Sequence, residues 1–484
     1  MKKIFLFAAM AALLTACSSE ELAGAQGAKQ DAADDAVTFS VYSPRAISRA
    51  GTAAEMTTAT VATTGFGILA YYTDNEKYDK ENSKPDFMYN TKVTSTDAGT
   101  TWKYNPVMYW PNEYGSTAAS DNIDYVSFFA YAPYVEVEPG SGIPYKNNNP
   151  SDGLVDENEK NITSISKNTA SGDPIVKYVV DTEPATSVDL LWGVAANTTD
   201  YTSIVTGYTP VTTGMPFVNL TKPNNPTTGK LNFNLRHALS KLNINIRYAA
   251  DETTTGTNTI TPETRIYVRY IKIGGFVLKG ALNLNNTAAN VPNWRSYDGQ
   301  SGLSSGDGVT LHDGRKDGKE GIEGGEQSSE LPVALNPNII ENYSAAVETT
   351  PGSGIWTWGA AKTSGVTNTA VNLFGNGTDL ATTPIFVIPT NEDIDIEICY
   401  DVETIDASLA TLLSDGSTHG TSVENKIRKK SSEIFTGTTK MEAGKGYNIS
   451  IILGMTSVKF EASVEGWTVG GIGGNTDVNL PGNN

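Results

Sequence analysis

The chain has 484 residues, a formal net charge of −19 and two cysteines, Cys17 and Cys399. That length accommodates two or more domains, and the acidic balance argues against nucleic acid or anionic lipid headgroups as partners, because both are bound by clustered Lys and Arg. The 46 Gly and 22 Pro, with abundant Thr, Asn and Ser, disfavour helix and point to an all-β fold.

The first residues, MKKIFLFAAMAALLTAC, carry two lysines, an apolar run from Ile4 to Leu14, and then Leu14-Thr15-Ala16-Cys17. This is the pattern of a secretion signal ending in a lipobox, so Cys17 is the expected site of lipidation, palmitate included. The run is too short to span a bilayer; acyl chains on Cys17 would instead hold the chain on a membrane surface. Once Cys17 is acylated no intramolecular disulfide remains, and stability has to come from burial.

Residues 36–50, AVTFSVYSPRAISRA, begin as a half-buried strand with Val37, Phe39 and Val41 on one face and Thr38, Ser40 and Tyr42 on the other. The pattern stops at Ser43-Pro44 and runs past Arg45 and Arg49. Strand-like runs follow at 66–72, 102–104, 108–110, 126–132 and 188–194. Residues 135–172 read as a polar loop, and 207–229, rich in Pro, Thr and Asn, as an interdomain connection. In LNFNLRHALSKLNINI the alternation of Leu231, Phe233 and Leu235, then of Leu242, Ile244 and Ile246, predicts one long strand bent or bulged near His237. Further strands are expected at 265–273, 276–284, 384–389, 393–402, 447–453 and 459–467, with a Gly- and charge-rich loop over 301–327. Short strands at irregular spacing suggest β-sandwiches.

Chemistry is sparse. His237, His312 and His419 lack a second His or Cys at metal-ligand spacing, and no nucleophile motif accompanies them. His237, next to Arg236 in an apolar strand, reads as a hydrogen-bonded structural residue. Asp393, Asp395 and Glu397 alternate with Ile394, Ile396 and Ile398, which puts the acids on the outer face of a strand and not in a catalytic pair. Asp313, Asp317 and Glu320 have Arg315 where a calcium loop needs a ligand. The expectation is a non-enzymatic protein with no metal and no cofactor. Trp356 and Trp358 share one strand face, where two rings either stack on sugars or pack in a sandwich core.

The motifs occur in a fixed order: the lipobox, VTFSVYSPRAISRA, FGILAYY, YWP, SFFAYAP, DLLWG, FNLRHALSKLNINI, IFVIPT, AGKGYNISIIL and FEASVEGW. That series resembles the fimbrillin family, the Mfa-like subunits of type V pili, across nearly the whole chain. The resemblance implies two transthyretin-like β-sandwich domains in series and export as a lipoprotein to the outer membrane. It also implies removal of the first strand by an arginine-specific surface protease, and refilling of the vacated slot by the C-terminal segment of a neighbouring subunit.

Carried onto this sequence, residues 1–17 are the signal peptide, 18–49 the propeptide with the removable strand, 50–228 and 229–467 the two domains, and 468–484 the tail. Val37, Phe39 and Val41 would leave with the propeptide. The tail would be the donor strand through Val469, Ile472, Val478 and Leu480. Of the two arginines, Arg49 is preferred as the cleavage residue, because Arg45 follows a proline that stiffens the site. The implied function is a structural or accessory subunit of a surface fimbria, homo- or heteropolymeric, that mediates adhesion to a host or glycan ligand. The alternative is a surface lipoprotein that never polymerises and binds glycans or host proteins through Trp356 and Trp358.

Overall fold

The structure, a computed structural model, describes residues 36–41, 55–111, 123–181, 186–196, 211–222, 230–248, 264–275, 277–298, 309–313, 346–358, 371–372, 384–389, 393–413, 419–435, 441–454 and 458–467. The elements run β1 (Thr38–Val41), α1 (Thr58–Thr64), β2 (Phe66–Asp74), β3 (Met88–Val93), β4 (Asp124–Ala132), β5 (Asn161–Ile165), β6 (Ile175–Val179), β7 (Leu191–Ala195), β8 (Phe217–Leu220) and β9 (Lys230–His237). They continue with β10 (Ser240–Tyr248), β11 (Thr264–Gly274), β12 (Lys279–Ala288), β13 (Val291–Arg295), β14 (Val309–Asp313), β15 (Ala346–Glu348) and β16 (Trp356–Trp358). The last are β17 (Val371–Asn372), β18 (Ile385–Val387), β19 (Asp395–Ile405), β20 (Gly420–Lys430), α2 (Ser431–Ile434), β21 (Lys445–Leu453) and β22 (Val458–Gly466). The fold is all-β, built of packed sheets.

The two most apolar runs of the sequence, FGILAYYTD and DYVSFFAYA, become β2 and β4 and pair from Gly67↔Tyr131 to Asp74↔Asp124. A strand that is apolar on both faces has to be covered on both. Phe66, Ile68, Ala70, Phe128 and Ala130 face one core cluster, closed by Val61 and Ala62 of α1 and by Trp102 and Trp110. Leu69, Tyr71, Phe129 and Tyr131 face a second cluster, closed by Ile162 and Ile165 of β5 and by Val176 and Tyr178 of β6. Helix α1 begins at Thr57 with a reciprocal cap, the Thr57 hydroxyl accepting from the Thr60 N–H and the Thr60 hydroxyl from the Thr57 N–H.

Among the described residues the first sheet runs β1-β9-β7-β4-β2-β3, with β8 also paired to β4, and a second runs β13-β12-β6-β5. Two further sheets, β17-β10-β21-β22 with β18 on β10, and β14-β11-β19-β20, make up most of the rest. Ile244 and Ile246 of β10 and Ile449 and Ile451 of β21 share a core with Ile273, Ile396 and Ile398 of β11 and β19.

Several local expectations need correction. The run read as one bent strand is two strands in different sheets: β9 pairs with β7 and β1, whereas β10 pairs with β21. The buried Ala238 and Leu239 carry the crossing. Strand β9 therefore lies in the first sheet although it follows residue 228, and β12 likewise pairs with β6. Residues 135–172 are not all loop, since they contain β5, and β14 lies within the loop expected over 301–327. Residues 102–110 form no regular strand; Lys103 and Tyr109 are isolated bridge residues, the former paired as Thr94↔Lys103.

Strand β20 carries no apolar alternation to signal it, since GTSVENKIRKK is largely exposed, with the lysines and arginine that protect a sheet edge. Those cations meet the acids read as the outer face of β19, Arg428 on Asp395 at 2.8 Å and Lys426 on Glu397 at 3.4 Å. Deeper on the same sheet, the Arg265 Nε donates to Glu403 at 2.6 Å with both side chains buried.

One glycine in the first sheet is imposed by packing. A Cβ on Gly193 would lie 2.7 Å from the Ala130 Cβ and 2.8 Å from the Phe233 ring. Gly193→Ala is therefore expected to destabilise the fold by about 1–3 kcal/mol through overpacking. An unchanged urea midpoint for that variant would contradict this account of the sheet.

Candidate strand-exchange site

Strand β1 is a short strand of 4 residues at the edge of the first sheet. It runs parallel to β9 in the register Thr38↔Lys230, Phe39↔Leu231, Ser40↔Asn232 and Val41↔Phe233. Val37 and Phe39 are buried, at 0% and 3% exposure, and Val41 is half-buried against the same cluster. The alternation read from the sequence is thus realised, apolar side chains inward and Thr38 and Ser40 half-exposed.

The pocket for Phe39 is aromatic. Its ring centroid lies 5.3 Å from Tyr104, 6.0 Å from Phe128 and 6.2 Å from Phe233, the offset and edge-on distances that aromatic pairs favour. On the side away from β9, the Val37 N–H donates to the Met108 carbonyl at 2.9 Å and the Tyr104 hydroxyl donates to the Val37 carbonyl at 2.6 Å. Residues 102–110, which form no regular strand, therefore line the outer wall of the slot.

The forces on β1 nearly cancel. Burying Val37 and Phe39 stabilises by about 3–6 kcal/mol, while ordering four backbone residues costs about 4–8 kcal/mol. Hydrogen bonds add about 1 kcal/mol each. Covalent attachment adds to that hold by keeping the strand at high effective concentration. Without β1, the β9 backbone from Lys230 to Phe233 would present unpaired N–H and C=O groups beside an apolar slot, a template for another strand.

A second polar feature lies at the far end of β9. His237 Nδ1 is 2.6 Å from Asp189 Oδ2, with both residues buried. Burial raises the Asp189 pKa above its ordinary value, against the lowering effect of His237 and of the Met56 N–H. The Met56 N–H donates to Asp189 Oδ2 at 3.3 Å. Trp467 stacks its ring on the His237 imidazole, centroids 3.6 Å apart and 18° from parallel, and on Phe386 at 5.2 Å. The Trp467 indole N–H donates to the Glu55 carboxylate. His237 is thus a hydrogen-bonded structural residue. Its partners, Asp189 of DLLWG and Trp467 of FEASVEGW, are distant in sequence.

The other sequence-derived positions divide in two. Trp356 and Trp358 lie on β16, paired to β15 at Glu348 and Ala346, and Trp356 is half-buried against Ala346 and Leu413. Cys17, Arg45, Arg49, Val469, Ile472, Val478 and Leu480 lie outside the described residues. Among the described residues, no group of three or more His, Cys, Asp or Glu is arranged to hold a metal ion.

No family model matches the chain. Over 131 residues, 26% of this chain, it is 32% identical to fimbrium subunit Fim1C of Phocaeicola vulgatus, and the match spans 27% of that relative's length. A solved fimbrial protein from Bacteroides vulgatus aligns with 90% of this chain and 100% of its own, at 20% identity and a TM-score of 0.46. The tip fimbrial protein Mfa3 of Porphyromonas gingivalis, solved with a C-terminal truncation, aligns over 85% and 97% at 11% identity and a TM-score of 0.24. The chain resembles fimbrial subunits in sequence over that matched segment.

Proposed function

We propose that the chain is a structural or accessory subunit of a type V pilus, exported as a surface lipoprotein through Cys17 and assembled by strand exchange. Cleavage at Arg49, or at Arg45, severs β1 from the body; the tail of a neighbouring subunit, through Val469, Ile472, Val478 and Leu480, takes its place on β9. Fimbrial relatives support the pilus part of this reading. The observation that carries the exchange part is β1 itself: four residues at a sheet edge, held by two buried side chains in an aromatic pocket. The functional unit is two β-sandwich domains in series. No step requires catalysis by the subunit, and the adhesion role follows from surface display.

Head-to-tail exchange does not close on itself, so it grows as a fibre. Limited digestion with an arginine-specific protease is expected to convert monomer into a ladder of oligomers on sizing chromatography. Changing Arg45 and Arg49 together to Ala should prevent this, and deleting 468–484 should leave cleavage intact and stop growth. Ladders that persist without the tail would eliminate it as donor. Clean cleavage with no oligomers would favour the non-polymerising lipoprotein that binds glycans through Trp356 and Trp358.

A further inference from the structure

We infer that Trp467 and Glu55 form a clasp that keeps the root of the C-terminal tail docked on the uncut precursor, and that cleavage at arginine loosens it. The inference rests on the strand-exchange reading and adds a control on the donor to the one already present on the acceptor. Trp467 is the residue directly before the tail, and Glu55 lies shortly after the cleavage region. Both ends that strand exchange must mobilise therefore meet at one contact.

The contact is a built one. Trp467 is 5% exposed, lies between the His237 and Phe386 rings, and donates its backbone N–H to the Gly444 carbonyl at 2.8 Å. Its indole N–H has Glu55 as acceptor. Glu55 in turn faces Lys241, Nζ to carboxylate 3.7 Å, and Lys241 sits 5.9 Å from the Trp467 ring centroid and 3.9 Å from Glu465. The residue after Glu55 is tied inward by its N–H to Asp189. A charge-assisted hydrogen bond, an ion pair and two ring stacks thus converge where β22 ends.

Chain entropy links this clasp to the cut. In the precursor, Glu55 is held from both directions, by β1 through the buried Val37 and Phe39 and by α1 on the other side. Cutting after Arg49 makes Glu55 the sixth residue of a new amino terminus, and a segment anchored at one end frays more readily than one anchored at two. The effective concentration of the carboxylate at the indole falls, and the tail root loses its charged acceptor. One cleavage would then empty the acceptor slot and loosen the donor together, so that uncut subunits neither accept nor donate.

Hydrogen exchange on the full-length protein, followed in peptides covering 441–467, tests this. Cutting after Arg49 should speed exchange at Glu465 to Trp467 by about tenfold or more, the change expected when a hydrogen bond to a charged acceptor is lost. Glu55→Ala should do the same without cutting, and cutting that variant should add little further. Trp467→Phe, which keeps the ring stack and lacks the N–H, should behave like Glu55→Ala. Unchanged protection after cutting, or in Glu55→Ala, would overturn the clasp. Oligomers that form while the tail root stays protected would refute the clasp and leave strand exchange standing. Faster exchange with no oligomers would keep the clasp and refute strand exchange.

Discussion

Replacing Phe39 with Ala is expected to weaken the seating of β1 by about 3–5 kcal/mol, the usual cost of truncating a buried phenylalanine. The ring is 3% exposed and meets Tyr104, Phe128 and Phe233, so its removal leaves a void in the wall shared by β4 and β9. Because the remaining hold on β1 is comparable to its ordering cost, the strand should detach in the uncut protein while the body stays folded. The readout is exchange at Lys230 to Phe233, which should speed by at least about a hundredfold, together with faster cutting by an arginine-specific protease and earlier oligomers afterwards. Ser40→Ala, at a half-exposed position of the same strand, should change neither within about 0.5 kcal/mol. Equal exchange in the Phe39 and Ser40 variants would show that side-chain burial does not hold the strand.

His237→Leu is expected to cost about 3–5 kcal/mol of global stability, because it removes one partner of a buried pair and strands the Asp189 carboxylate. The effect should depend on pH in a defined direction. Burial already raises the Asp189 pKa above 3.8, and without the imidazole the folded-state value rises further. A carboxyl with a raised folded pKa favours the folded state at low pH, where it is neutral in both states, and that contribution is lost as pH climbs through the folded value. The penalty of His237→Leu should therefore be largest at neutral pH and shrink once the solution is acidified below that value, where the carboxyl of the folded variant becomes neutral. The double variant His237→Leu/Asp189→Leu should recover most of the loss, since two apolar residues leave no buried charge. A urea series over pH checks this; a penalty independent of pH, or a double variant equal to the sum of the singles, would rule out the buried pair as its cause.

The all-β class, the positions of most apolar strands and the inward face of β1 were legible in the sequence for one reason. Period-two alternation in Val37-Thr38-Phe39, in Leu231-Asn232-Phe233 and in Ile394 to Ile398 reports which side chains avoid water, and burial is a local property of the residue. Lipidation at Cys17 and cleavage at the arginines are expectations of covalent chemistry read from motif alone, at positions outside the described residues. Strands β5 and β20 were not legible, because NITSI breaks the alternation with Thr163 and Ser164 and GTSVENKIRKK is largely exposed.

Partnership was decided only in three dimensions. LNFNLRH and SKLNINI carry the same pattern, and nothing local tells that β9 joins the first sheet and β10 another; the buried crossing at Ala238 and Leu239 does. Nor does local pattern say that Phe39 enters a pocket of Tyr104, Phe128 and Phe233, the last of them 194 positions further along the chain. The hydrogen bond of His237 with Asp189 and the meeting of Glu55 with Trp467, 412 residues apart, belong to the same category. Hydrophobic pattern determines which faces must be hidden, whereas the choice of what hides them depends on chain topology and close packing across long separations, which only the folded chain expresses.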